Sequence, residues 1–564
     1  MPDRPRFAVD RYRRGTPPFT WLARAHPRLV RVRLRKDTMS AESTGVRSRS
    51  GIPAEAGKAS LSVPSEKPAG SLRGTMGTLQ LALTVLAMSA PIGNVTGVLP
   101  LGITRGNGIG TPVIYAFVGV IFLLFAVGFT TMTRNLPKPG AFYTYITAGL
   151  SRTLGLGTGL LAAFTYLVFM IGSYAFFGVS IENVLSSFGA PSTPWWLWAA
   201  LCCVIITALG HFNVELSGKV LSAFMVAEVV LVMLFNAPVL FTGGPQGYQV
   251  ESFQPAHVFQ GDLGVATLFA ITCFLGFESS AIYRDEVKRP EKTIPRATYL
   301  AISGLGAFYV LTSWAIVTFW GPSRVAAAGS ANPTTLFSEG FRHYMGDTFT
   351  QIMIVMVVTS VFAGALSTHN SLSRYLYSLG RDRILPSFLG KAHGRHGSPS
   401  NASAFATGAA VICMLPFLLS RLDAVAMYSS MFALGTFALL ILFTLTTVSV
   451  LRYFRIIEHG ERIWNTSVAP ILALAGLVLL LTLTSVYYSM SIGAPQWLAY
   501  GQQLLLVAIV VTGVLVALRW RRTRPDVYAN IGGGSGEHHD ARRAAKPSSP
   551  STAGPGSNTG SPGE

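Results

Sequence analysis

The chain has 564 residues, 50% of them apolar and only 12% charged, with a mean hydropathy of +0.45, whereas a soluble domain carries about 25% charged residues. The net charge of +19 would suit a nucleic-acid binder, but the basic residues are sorted to one side of a series of apolar windows, which argues against that partner. There is no GxxxxGK[ST] loop, no GxSxG elbow and no zinc-spaced Cys/His set, so an ATP-driven pump or an embedded hydrolase is disfavoured and no cofactor or metal is expected.

Residues 1–75 are rich in Arg, Pro, Ser and Gly and have no sustained apolar period. They are expected to form a disordered, basic cytoplasmic tail. A basic amphipathic helix over Trp21 to Arg35 is conceivable, although Pro27 interrupts it, and Met39 is a candidate alternative start. Twelve apolar windows of transmembrane length follow, near 79–103, 111–133, 157–185, 195–212, 218–241, 263–283, 297–320, 349–377, 402–420, 425–451, 467–490 and 498–519. About 20 apolar residues of helix cross the hydrocarbon core. Residues 76–522 therefore read as one all-α polytopic membrane domain, and residues 523–564, rich in Gly, Ser and Pro, as a disordered cytoplasmic tail.

Two windows are interrupted. The first contains Gly93, Asn94, Thr96 and Gly97, and the sixth contains Gly276, Glu278, Ser279 and Ser280. Lipid offers no partner for an unpaired backbone group, so such breaks belong where the backbone faces a cavity; tightly packed kinked helices are the plainer alternative. A shift of five spans inverts orientation, so breaks in spans one and six point to a five-plus-five inverted repeat with two trailing spans. With the N-terminus inside, only Arg105, Arg324, Arg342 and Arg421 of the 44 Lys and Arg fall on the outer side. That asymmetry puts both termini in the cytoplasm of a multi-pass plasma-membrane protein and leaves some attraction to anionic lipid. Cys202, Cys203, Cys273 and Cys413 lie inside apolar windows and read as small buried hydrophobes, not as a disulfide framework.

Three blocks carry a family likeness. FLGFESSAIYRDEVKRPEKTIPRA (Phe274 to Ala297) resembles the sixth-helix signature of the amino acid–polyamine–organocation permeases; NLPKPGAFYTYITAGLSRTLG (Asn135 to Gly155) resembles their Pro-Gly-Gly-x-Tyr region, with Ala141 for the second Gly; NSLSRYLYSLGRDRILP (Asn370 to Pro386) resembles the end of their eighth helix and its Gly-Arg-Asp loop. The resemblance covers roughly residues 76–522. It implies twelve helices in a leucine-transporter-like fold with helices 1 and 6 broken, and secondary active transport of an amino acid or related amine. It implies that the substrate carboxylate lies around Thr96, Gly97 and Val98, and the ammonium against carbonyls near Cys273, Leu275 and Ile92, beside the Gly276 break. Val95 stands where the family often has Gly, which narrows the site.

Broken helices supply what a zwitterion needs, free N–H groups at one end and free carbonyls at the other. Three ionisable residues inside the windows are candidates for coupling or gating: Glu278, His369 and Glu228. A mid-membrane carboxylate costs at least about 2.5 kcal/mol on insertion scales, so Glu278 is either a proton-coupled switch or amine contact, or a structural acceptor for the N–H groups of its own break. Glu228 follows Gly218 by ten residues, about 15 Å along a helix; structural hydrogen bonding is its plainer role. In some proton-coupled relatives a lysine on this helix replaces sodium, and the resemblance puts Met233 there. His369 could relay a proton or be a buried neutral imidazole, the plainer reading. Thr359, Ser360, Ser367 and Thr368 permit a sodium site without requiring one. The Arg284 to Arg296 run, with Asp285, Glu286 and Glu291, reads as an ion-pair network at the cytoplasmic exit, with Arg381 and Asp382 alongside.

The expectation is a secondary permease for a neutral amino acid or small amine, driven by a proton, sodium or exchange gradient. One carboxylate is thin for strong cation selectivity, and no mid-window Arg or Lys is present for anions. The rival is a channel or ligand sensor that keeps the fold without coupled transport. Oligomeric state is not legible.

Overall fold

The computed structural model describes residues 76–136, 141–211, 218–331, 333–393, 398–419 and 423–532. The expectations for residues 1–75, including Trp21 to Arg35 and Met39, and for residues 533–564 lie outside the described residues, as does the Pro-Gly pair of the Asn135 to Gly155 block. The first broken element is α1 (Thr78–Ser89), α2 (Pro91–Gly97) and α3 (Leu99–Gly102). Then come α4 (Thr111–Asn135), α5 (Ala141–Gly149), α6 (Arg152–Ser187), α7 (Trp195–His211) and α8 (Gly218–Thr242). After the short α9 (Pro255–Val258), α10 (Leu263–Cys273) gives way at the second break to a 3-10 stretch, Phe277–Glu286. The chain continues through α11 (Pro290–Trp320), α12 (Val325–Ala331) and α13 (Leu336–Arg381), which is kinked at Gly346. It ends with α14 (Ser400–Leu419), α15 (Ala424–Ile456), α16 (Ala469–Val486), α17 (Tyr488–Ile492), α18 (Gln496–Thr523) and α19 (Pro525–Asn530).

Among the described residues eleven helices are long and apolar enough to cross a membrane. The fourth expected window, 195–212, holds a shorter apolar helix, Trp195–Gly210. Burial sorts these helices into a centre and a rim. The most apolar stretch of Leu263–Arg284 is 94% buried inside the protein, that of Gln496–Thr523 only 17%. A helix apolar all round and covered all round is central, so the second broken element runs through the middle and α18 lies at the edge.

Aromatic side chains fill the middle. Phe122, Phe125, Phe277 and Phe443 contact one another at ring separations of 4.8 to 6.1 Å, the edge-to-face and offset range that adds to area burial. They pin the start of the 3-10 stretch to α4 and α15. Just before α1, Met76 pairs with the chain after the 3-10 stretch: its N–H donates to the Glu286 carbonyl at 3.0 Å and its carbonyl accepts from Lys288 at 2.9 Å. Within the region expected to be a structureless tail from residue 523, Pro525–Asn530 is helical and Val527 and Ile531 are buried. Those two apolar side chains, spaced one helical turn apart, give that segment a face to bury.

Candidate functional site

The first break sits at Ala90, ahead of the glycines expected to form it. Ala90 is left-handed, with φ 46° and ψ 67°. Pro91 causes this: it has no N–H to continue α1 and disfavours helical backbone in the residue before it. Gly93, Asn94, Thr96 and Gly97 therefore belong to the restarted helix α2. The Val98 N–H is spent on the Asn94 carbonyl at 3.0 Å, and Thr96 Oγ1 on the carbonyls of Ile92 and Gly93, each at 3.0 Å. The donor presented at the turn is the Ile92 N–H, which points at Glu228 Oε2 at 3.5 Å. Gly97 has a different role. A Cβ there would lie 2.2 Å from the Phe176 ring, and its carbonyl accepts from Tyr428 Oη at 3.1 Å. Phe176 in turn packs on Tyr428 with ring centroids 4.8 Å apart.

The second break lies where the sequence puts it. Gly276 has φ 116°, a conformation open in practice to glycine alone, and a Cβ there would meet the Val85 carbonyl of α1 at 2.5 Å. The two breaks are joined directly. Ser89 Oγ donates to the Cys273 carbonyl at 2.7 Å, and lies 3.0 Å from Tyr309 Oη. Asn94 Nδ2 donates to the Ser89 carbonyl at 2.5 Å and to Tyr309 Oη at 3.1 Å. Tyr115 Oη contacts Cys273 Sγ at 3.3 Å. The Leu275 N–H bonds to the Thr272 carbonyl at 3.1 Å.

The three ionisable candidates separate. Glu278 is fully buried and turned onto its own break: one carboxylate oxygen accepts from the Gly276 N–H at 2.9 Å, the other from Tyr166 Oη at 3.3 Å. Glu228 joins three elements, since the oxygen near Ile92 also accepts from Ser360 Oγ of α13 at 2.8 Å. His369 faces away from both breaks. Its Nε2 lies 2.8 Å from Ser403 Oγ of α14, beside Gly210 of α7. His369→Gln should therefore leave the pH profile of uptake unchanged through the ordinary histidine range near pH 6.5; a flattened profile in transport assays would return His369 to the site.

Several members of this constellation were not singled out from the sequence: Ser89, Tyr115, Tyr166, Phe176 and Tyr309. The Ser-Ala-Pro run at Ser89 to Pro91 was a readable cue, because proline inside an apolar window ends a helix at the preceding residue. The tyrosines carry no such cue in the sequence.

The two faces of the helix bundle differ. Opposite the face holding Met76 and Gly532, a cavity of about 330 Å³ reaches inward to Thr96 and Phe176, lined on the way by Ser180, Asn183, Ser338 and Met353. On the face holding Met76 and Gly532, ion pairs and hydrogen bonds join neighbouring segments. Arg374 Nε meets Glu286 Oε1 at 3.2 Å, and its guanidinium lies 4.6 Å from the centre of the Tyr283 ring. Arg284 Nη1 donates to the Thr133 carbonyl at 2.6 Å, and a looser contact of 3.8 Å joins Arg284 to Glu291. The Arg284 to Arg296 run thus supplies part of this network, while its tightest ion pair draws Arg374 from α13. Asp382 accepts from Tyr143 Oη of α5 at 3.0 Å.

The sequence profile of the family described as amino acid permease matches residues 83–527. A low-affinity putrescine importer of Escherichia coli (strain K12) is 24% identical over 369 residues, 64% of this chain and 76% of its own length. An aromatic amino acid transport protein of Escherichia coli O6:H1 is 30% identical over 240 residues, 40% of this chain and 50% of its own. Asc-type amino acid transporter 1 of Mus musculus is 24% identical over 355 residues, 59% and 64% respectively.

Proposed function

Because the chain belongs to the amino acid permease family, whose members share the leucine-transporter-like fold, we propose that it carries an amino acid or small organic amine inward by proton-coupled alternating access. It is a multi-pass membrane transporter and not an enzyme. The relatives named for putrescine and for aromatic amino acids bracket the solute class: an amine with or without a carboxylate. The solute binds between the breaks, with its carboxylate toward α2 around Thr96, Gly97 and Val98, and its ammonium toward carbonyls near Cys273, Leu275 and Ile92, beside Gly276.

The observation that carries the proton-coupled reading is Glu228. A buried carboxylate that bonds at once to the first break and to α13 changes its contacts when either element moves. Loading it with a proton removes a charge from mid-membrane and weakens its pull on the Ile92 N–H and Ser360. That couples proton occupancy to the spacing of α2, α8 and α13. Uptake of putrescine and of aromatic amino acids into proteoliposomes under an imposed pH gradient, with and without a protonophore, tests this. Accumulation that survives the protonophore and follows sodium would overturn proton coupling.

We assign both termini to the cytoplasm from the one-sided distribution of Lys and Arg. A single cysteine placed after residue 532 should then resist a membrane-impermeant maleimide in intact cells and react once the membrane is opened. Ready labelling of intact cells would invert the topology.

A further inference from the structure

The chain does not leave the bundle at the end of α18. Past Arg524 it turns back into α19 and then docks on α5, burying Ile531 at 1% exposure. Tyr528 Oη lies 3.1 Å from Thr153 Oγ1 in the first turn of α6. The Gly532 N–H donates to Tyr143 Oη. That same hydroxyl donates its own proton to Asp382 Oδ2 at the end of α13, and the Tyr143 N–H donates to Tyr375 Oη of α13 at 3.1 Å. Tyr143 therefore stands at a junction, with the end of the described chain on one side and the α13 terminus on the other. Burial first, and the adjacent Asp382 second, hold its phenol well above the ordinary value, so the hydroxyl keeps the proton it gives to Asp382. Neither α5 nor Asp382 lies at the two breaks; both belong to the face holding Met76 and Gly532.

We propose that residues 525–532 are a latch: docked through Gly532 and Ile531, they hold α5 against the inner end of α13 and keep this face shut, and their release favours its opening. The latch needs no solute to act. It stands or falls independently of which amine is carried and of what drives transport. It also gives the residues that follow it a route of influence, since a pull on the chain beyond Gly532 acts on Tyr143.

A reporter cysteine at Ser373, buried near the inner end of α13, reads the opening. It is placed in a background without the four native cysteines, in protein reconstituted into nanodiscs, where both faces meet the maleimide. A chain ending at Gly532 should label at the parent rate. A chain ending at Arg524 should label roughly three- to tenfold faster, the shift that one net hydrogen bond supports. In the full-length chain, Tyr143→Phe removes the shared hydroxyl and Ile531→Asp puts a charge into the dry contact; each should reproduce the faster labelling. Combining Tyr143→Phe with the Arg524 ending should add less than the sum of the two effects, because both remove the Gly532 to Tyr143 bond, while Tyr143→Phe alone also removes the bond to Asp382. Equal rates for the two truncated chains, or full additivity with Tyr143→Phe, would overturn the latch. If the shorter chain does not insert, the two full-length variants carry the same expectation and, by labelling at the parent rate, the same refutation.

Discussion

Glu228→Gln should abolish accumulation driven by a pH gradient while leaving exchange of internal for external solute intact. Glutamine keeps the length of the side chain and an oxygen to accept from Ser360 and from the Ile92 N–H. It deletes only the site that gains and loses a proton. The loss should be roughly 5- to 150-fold in the accumulation ratio, the span of ordinary coupling free energies, and the residual uptake should no longer vary between about pH 5 and 8, a window above the reference carboxylate value. Glu278→Gln is the internal comparison. Both oxygens of Glu278 serve contacts close to its own break, to Gly276 and Tyr166. Glutamine can still accept the Gly276 N–H, so this variant should keep a parent-like pH curve. If instead Glu278→Gln flattens the curve and Glu228→Gln overlays the parent, the proton is carried at the second break and the role proposed for Glu228 is wrong.

Gly97→Leu should eliminate uptake in a protein that still folds and inserts. A first side-chain atom at this position meets the Phe176 ring at 2.2 Å, and the rest of a leucine must enter the space where Phe176 stacks on Tyr428. Overpacking of this kind costs about 1–3 kcal/mol, tolerable for the fold of a large bundle but not for a surface that must close on solute. Phe176 also lines the cavity, so displacing it blocks the path as well as the site. Pairing Gly97→Leu with Phe176→Ala should restore part of the uptake by returning the space. Parent-like uptake by Gly97→Leu alone, with the protein properly inserted, would remove this face of α2 from the translocation path.

The second break was legible because its chemistry is local. A Gly-Phe-Glu run in an apolar window needs a positive-φ residue, and Gly276 supplies it. The first break was misplaced for a local reason too. Gly93 and Gly97 drew attention by composition, but helix continuation is decided by Pro91, and the turn falls one residue before it. What the sequence could not yield is which face of a helix a residue occupies against distant neighbours. Glu228 was legible in depth and not in direction; its partners Ile92 and Ser360 are more than a hundred residues away on either side. His369 was suspected for its ionisable ring, yet helix rotation turns it to Ser403. The tyrosine hydroxyls that knit the site, Tyr115, Tyr166 and Tyr309, look in sequence like any other aromatic in a core.

The pairing of Met76 with the chain at Val287 has a kinetic consequence. It joins the N-terminal end of α1 to the far end of the 3-10 stretch by two backbone hydrogen bonds, and Gly276 lies against Val85 between them. The two broken helices are therefore tied to each other on this side of Ala90 and Gly276, the two residues of positive φ at the breaks. A state with one half swung out and the other left in place would sacrifice both backbone bonds and part the close packing at Gly276. Moving the two segments together keeps both bonds, so this end of the bundle is expected to open in one step and not through a half-open stage.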